Sequence, residues 1–154
     1  MTLTNILVRA GFAVSLIVSA GSHAYLYIHG YQHIPSIGTS FLIQASASFA
    51  LALLIALGGP DWLRWAAAAI AGGSLVAFVA SRTVGIFGFS ETGWQPSPYA
   101  ALSVGAEMLT VLLWAGLVAN ARRIKRGPSY ETRLQRDRML LDQEPAQRGQ
   151  RQGG

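Results

Sequence analysis

Four long apolar stretches run along the chain, separated by short polar breaks, at about residues 7–28, 37–57, 65–84 and 99–119. A helix needs roughly 20 mostly apolar residues to cross the hydrocarbon layer of a membrane, because each residue advances it by about 1.5 Å. Each stretch reaches that length. The pattern therefore predicts four transmembrane helices.

The breaks contain residues that end helices and form turns. They are Gly30 and Pro35 in the first break, Gly58-Gly59-Pro60-Asp61 in the second, and Gly93, Pro96 and Pro98 in the third. Connections this short favour antiparallel packing of consecutive helices. The predicted fold class is all-α, an integral membrane four-helix bundle with antiparallel neighbours.

Composition agrees with a surface that largely faces lipid. Of the 154 residues, 51% are hydrophobic and only 12% are charged, which is about half the charged fraction of a typical soluble domain. The chain has no cysteine. Disulfides, thiolate metal sites and cysteine nucleophiles are therefore excluded.

The net charge of +5 lies entirely in the segment 121–154, which has nine Lys and Arg against four Asp and Glu. Residues 1–120 have three basic and three acidic residues. We therefore predict a membrane domain over 1–120 and a basic tail over 121–154. A charge confined to a tail argues against a nucleic-acid-binding domain.

The basic residues also predict the orientation, because Lys and Arg near span ends favour the cytoplasmic side. With four spans, Arg9, Arg64 and the tail all lie on one side of the membrane. Eleven of the twelve basic residues are then cytoplasmic, and Arg82 is the exception. Both termini are predicted to be cytoplasmic, in a multi-pass protein of the cell membrane.

A signal peptide is the alternative interpretation of the first stretch. Arg9, the apolar run 10–20 and the sequence Ser22-His23-Ala24 resemble such a peptide with its cleavage site. However, the apolar stretch begins before Arg9 and continues through Ile28, which is longer than the apolar region of a signal peptide. The length favours a retained first helix.

Small and hydroxyl residues recur at helical spacing in each span, so each set shares one helix face. Such faces are typical of seams along which membrane helices pack closely. The sets are Gly11, Ser15, Ser19 and Ser22; Ser40, Gln44 and Ser48; Gly73, Ser74, Ala77 and Ser81; and Ser103, Glu107, Thr110 and Trp114.

Four polar residues form a candidate intramembrane site: His23, Gln44, Arg82 and Glu107, one from each span. Counted from the outer helix ends, all fall in the outer half of the bilayer, with Glu107 deepest at about 12 Å. A charged side chain there costs about 2.5–3.5 kcal/mol on insertion, so it normally turns inward and finds a partner.

We expect Arg82 to pair with Glu107, and His23 and Gln44 to complete the hydrogen bonds. Two interpretations remain open. The cluster is either a structural ion pair that fixes helix order, or a polar pocket open to the outside that holds a proton, a quinone head group or a small polar ligand. The loop 85–98 either covers this cluster or simply joins two helices.

The sequence contains no phosphate-binding loop, catalytic triad spacing, paired catalytic carboxylates or metal-ligand set. His29 and His33 have the spacing of a helical metal pair, but Gly30 and Pro35 disfavour a helix there. We predict no catalytic residue, no metal and no resident cofactor. An enzymatic role is not expected.

The tail begins with Arg122, Arg123, Lys125 and Arg126, which we expect to contact anionic lipid head groups at about 1 kcal/mol each. Residues 129–141 have the pattern of a short helix that lies on the membrane or meets a partner. From residue 145 onward, Gln, Arg and Gly predict disorder.

Three features of the layout recur in a known group: an early arginine in Val8-Arg9-Ala10-Gly11, the aromatic turn His29-Gly30-Tyr31, and the Gly/Pro break after the second span. With them the layout resembles the small four-helix bacterial membrane proteins of the DoxX-like kind. The run 81–89 followed by Glu107 also resembles uncharacterised actinobacterial membrane proteins. The resemblance covers residues 5 to 120. It implies quinone-linked or redox-stress roles, sometimes as an accessory subunit, and it assigns no functional residue here.

The sequence therefore leaves three functional hypotheses. The first is an accessory or structural membrane protein, working with a membrane-protein partner or a second copy of itself. The second is a redox-associated, quinone-linked protein or a small-solute or proton transporter that uses the polar cluster as its binding site. The third is an anchor for a cytoplasmic partner.

Overall fold

A computed structural model describes residues 2–126 and 132–139, and the regular elements in those ranges are helices. Helix α1 is Leu3–Leu26 and continues into a π-helical turn, Tyr27–Tyr31; α2 is Ile37–Ala56, α3 is Trp62–Thr83 and α4 is Tyr99–Arg126. Each of α1 to α4 is long and apolar enough to cross a membrane. The four helices coincide with the four predicted apolar stretches.

The end of α2 shows why the glycine-rich break stops a helix. The Gly58 N–H donates to the Ile55 carbonyl at 3.1 Å, and the Gly59 N–H donates to the Leu54 carbonyl at 2.9 Å. This pattern closes a helix when the residue after the cap has a positive φ, and Gly58 has a φ of +92°. A Cβ at Gly58 would also lie 2.7 Å from Nη1 of Arg9.

The connection between α1 and α2 is equally close. A Cβ at Gly38 would lie 2.5 Å from the Tyr31 carbonyl oxygen, so the first turn of α2 packs directly on the backbone of the π-helical turn. The Gly38 N–H donates to the Ile34 carbonyl at 2.9 Å. These contacts hold the C-terminal end of α1 and the N-terminal end of α2 together.

Helix α1 meets α4 along their predicted seams, and α1 has more buried side chains than any other helix. Its Ser15 hydroxyl lies 2.8 Å from that of Thr110 on α4. Gly11 lets α4 approach, because a Cβ there would lie 3.1 Å from Leu113 Cδ1. Ser15, Ser19 and Ser22 are all buried, as the spacing predicts.

Aromatic pairs contact across neighbouring helices at both ends. The rings of Tyr25 and Tyr99 stack at 3.9 Å between centroids, whereas those of Trp65 and Trp114 meet edge to face at 4.7 Å. Such pairs add about 0.5–1.5 kcal/mol beyond the area that they bury. They reinforce the α1–α4 and α3–α4 contacts.

The chain divides into two compact units, Met1–Gly116 and Leu117–Gly154. The first contains α1, α2, α3 and most of α4. In the second, the described residues are the last turns of α4 and a helix at 132–139. That helix lies within the segment 129–141, where the sequence predicts one; the flanks of the segment and the region from 145 lie outside the described residues.

Candidate functional site

Glu107 lies at the centre of a buried polar cluster and is 1% exposed. Its Oε1 accepts hydrogen bonds from the hydroxyls of Ser19 at 3.1 Å, Ser74 at 2.7 Å and Ser103 at 2.9 Å. These serines belong to α1, α3 and α4. Buried carboxyl groups need such donors to offset the loss of water, so one oxygen joins three helices.

The second carboxyl oxygen of Glu107 has a different environment. Within the described residues, every hydrogen bond to this side chain ends on Oε1, and Oε2 accepts none. The side chain also lines the cavity described below. Oε2 is therefore the oxygen available to a bound molecule.

His23 lies beside Glu107 and is 7% exposed. Its Nδ1 is 2.9 Å from the Ser19 carbonyl oxygen, so Nδ1 carries a proton and donates. In the neutral ring Nε2 is then unprotonated, and it lies 3.8 Å from Glu107 Oε1. A proton on Nε2 turns this contact into an ion pair. The ring also packs on Phe41 at 5.0 Å.

Arg82 does not pair with Glu107, so that prediction is wrong. Its Nη1 lies 2.7 Å from Oε2 of Glu91, an acid in the loop between α3 and α4. Nε and Nη2 donate to the carbonyls of Gly93 at 2.9 Å and Gln95 at 2.5 Å. The loop folds back over the end of α3, and its acid and carbonyl groups bind the guanidinium. Arg82 therefore does not extend to Glu107.

Glu91 extends this network to the first helix. Its Oε1 accepts a hydrogen bond from the Tyr31 hydroxyl, and its backbone N–H donates to the Ser81 carbonyl at 3.1 Å. We call the three side chains Tyr31, Arg82 and Glu91 the outer latch. The latch joins the π-helical turn, the end of α3 and the loop.

A cavity of about 340 Å³ lies between the outer latch and the Glu107 cluster. That volume is within the usual range for small-molecule sites, about 300–1,000 Å³. Its surface is mostly apolar, and all four candidate residues from the sequence line it: His23, Gln44, Arg82 and Glu107. The structure therefore brings the four together around one cavity, although not as a directly bonded cluster.

Of the four candidate residues, Gln44 is the one whose side chain has no hydrogen bond within the described residues. It is half-buried on α2 and lines the cavity. Among the described residues no hydrogen bond to its amide is present. A side-chain amide offers two donors and an acceptor, so Gln44 presents hydrogen-bonding capacity to the cavity.

The cavity reaches the molecular surface between α2 and α3. Ser40 on α2 and Gly73 and Ala77 on α3 all line it and are all exposed. These side chains are small, so they leave a lateral gap. In a spanning helix pair, such a gap faces lipid.

Sequence reasoning missed Glu91 and Tyr31 as site residues. Both were visible only as members of loop or interfacial segments, and no periodicity links them to Arg82. The serines that bond Glu107 were visible as seam residues, since Ser19, Ser74 and Ser103 lie at helical spacing within the predicted sets. Their shared acceptor was not predictable from spacing alone.

The loop histidines have local contacts. His29 Nδ1 lies 2.9 Å from the Tyr25 carbonyl oxygen, and its ring stacks on Tyr25 at 3.9 Å. His33 contacts the neighbouring Gln32 amide. In the ranges 2–126 and 132–139, no group of three or more His, Asp or Glu is placed to hold a metal ion.

In the second unit, Arg122, Arg123 and Lys125 are exposed on the last turns of α4. Their contact with anionic head groups stays a prediction. The backbone of Arg126 ends the helix, and its side chain lies outside the described part of the chain.

The chain matches no family model, no curated protein and no solved structure.

Proposed function

We propose that this is an integral membrane protein that binds a small amphiphilic molecule in the cavity beside Glu107. The cavity carries the proposal: it is mostly apolar, has a volume of about 340 Å³, and places a buried carboxyl with a free oxygen at its wall. Binding sites for small molecules combine an apolar surface with a few convergent polar groups in this way.

In the proposed topology the four helices form an antiparallel bundle with both termini in the cytoplasm. Pairs of contacts support the helix directions. Arg9 lies by Gly58 and His23 by Phe41, so positions that advance along α1 retreat along α2. Trp65 contacts Trp114 and Ser74 contacts Glu107, so positions that advance along α3 retreat along α4.

The placement of basic residues supports the proposed orientation in the cell membrane. The cavity then lies in the outer half of the bilayer, and Arg122, Arg123 and Lys125 lie at the cytoplasmic surface against anionic lipids. A quinone is one amphiphile of suitable chemistry, since its carbonyls would accept hydrogen bonds from the Gln44 amide. The DoxX-like resemblance adds this candidate and remains a prediction.

A structural or accessory role is the second candidate. One observation favours it: Oε1 of Glu107 accepts hydrogen bonds from three helices, which is how polar groups hold membrane helices together. The two roles are compatible, because the hydrogen bonds to the other helices use Oε1 and, among the described residues, leave Oε2 without a donor.

The test uses two adjacent glycines on α3, of which one lines the cavity. Neither Gly72 nor Gly73 has an atom within 4 Å of its ideal Cβ, but only Gly73 lines the cavity. We expect Gly73→Leu to abolish binding of small molecules that co-purify with the wild type, as measured by native mass spectrometry, and Gly72→Leu to retain it. Equal retention by both variants, or no bound molecule in any sample, would contradict the proposal.

A further inference from the structure

We infer that the ligand is a small organic cation with an aromatic or aliphatic body, which enters from the lipid between α2 and α3 and places its charge at Glu107. This inference rests on the proposed binding function and names the chemical class of its ligand. The argument comes from the charges, the rings and the opening of the cavity.

The charged groups around the cavity do not balance. Arg82 and Glu91 both line it and offset each other at 2.7 Å. Among the described lining residues, Glu107 is the remaining acid, and His23, at 3.8 Å from it, is the one further group that can become positive. When His23 is neutral and Glu107 is ionised, the described lining carries one uncompensated negative charge. A bound cation supplies the missing charge, and a buried charge without a partner is costly.

The aromatic lining suits a cation as well. Four phenylalanine rings line the cavity: Phe41, Phe78, Phe87 and Phe89. The face of an aromatic ring attracts cations, and rings around a cavity are a recurring way to bind quaternary ammonium groups. The ring of Phe78 already contacts a cation within the protein, since the Arg82 guanidinium lies 4.5 Å from its centroid.

The opening between α2 and α3 selects for a lipid-soluble molecule. The exposed small residues Ser40, Gly73 and Ala77 border it, and no charged side chain is among them. At the other end of the cavity the outer latch fastens the loop, because Arg82 binds Glu91, Gly93 and Gln95. A ligand therefore reaches Glu107 through a gap bordered by small, uncharged side chains.

The neutral donors around Glu107 are already in place. The groups that face it are His23 and Ser19 on α1, Ser74 on α3 and Ser103 on α4, with Arg82 and Glu91 farther along the cavity. A cation that enters the cavity therefore meets one acid that has no guanidinium partner.

The probe pair is benzyltrimethylammonium and neopentylbenzene, which have the same shape and differ in one positive charge. We expect the purified protein in detergent to bind the cation at least about tenfold more tightly than the neutral isostere. Glu107→Gln should remove that preference, whereas Asp61→Asn, which removes an exposed acid (side chain 86% exposed), should keep it.

The outcomes separate the two proposals. Equal binding of cation and isostere, or binding of menadione without binding of the cation, overturns the cationic ligand and leaves the binding cavity intact. Gly73→Leu and Gly72→Leu behaving alike would instead remove the binding function itself. If Glu107→Gln does not fold, the isostere comparison on the wild type still decides.

Discussion

Arg82 and Glu91 form an ion pair at 2.7 Å that fastens the loop 84–98 to the end of α3. The side chains are 14% and 20% exposed, so solvent screens the pair less than it screens a surface pair. Tyr31 donates a hydrogen bond to the same acid. The loop above the cavity is therefore held from two helical segments at once.

We expect a double-mutant cycle of Arg82→Gln and Glu91→Gln to give a coupling energy of about 1.5–3 kcal/mol, as charged hydrogen bonds do when partly buried. Asp61 and Arg64 provide the control, because they pair at 2.8 Å with the acid side chain 86% exposed. Their coupling should be below about 1 kcal/mol. Thermal unfolding in detergent measures both cycles, and equal couplings would contradict the proposed role of the latch.

The same substitutions should loosen the loop. In Glu91→Gln we expect faster amide hydrogen exchange across residues 84–98, while exchange within α1 stays unchanged. The reason is that Glu91 joins the loop to both Arg82 and Tyr31. An unchanged loop in this variant would mean that other contacts hold it in place.

Glu107→Ala should destabilise the protein by about 2–5 kcal/mol, since it removes the acceptor of three serine hydroxyls and leaves a void. Glu107→Gln keeps an amide oxygen in nearly the same place and should cost less. Thermal unfolding of the two variants in detergent gives the comparison. A structural role without ligand binding predicts lower stability in the glutamine variant while its stable fraction behaves normally.

Gly58→Ala should destabilise the protein by about 1–2 kcal/mol or more. The substitution places a Cβ in a left-handed conformation, with a φ of +92°, and 2.7 Å from the Arg9 guanidinium. Gly72→Ala is the matched control, because its Cβ meets open space inside α3 and alanine favours a helix by about 1 kcal/mol. Opposite signs of the two stability changes are expected, and a stabilised Gly58 variant would contradict this account of the turn.

Topology can be tested with single cysteines, since the chain has none of its own. Ser90→Cys lies in the loop between α3 and α4, and Asp61→Cys lies between α2 and α3; both positions are exposed. In intact cells a membrane-impermeant maleimide should label the first variant and spare the second. The reverse pattern would invert the proposed orientation and place the cavity in the inner half of the bilayer.

The sequence by itself determined where the helices lie, because spanning length and apolar content are local properties that turn residues then interrupt. It also selected His23, Gln44, Arg82 and Glu107, since a polar side chain within an apolar span is conspicuous whatever its neighbours. Tertiary structure decided which of these residues contact one another. Arg82 turned to Glu91 rather than Glu107 because the loop 84–98 folds back onto α3, and three seam serines took the place expected for arginine. Spacing fixes a helix face, whereas helix rotation and the path of a loop depend on the packing of the whole chain.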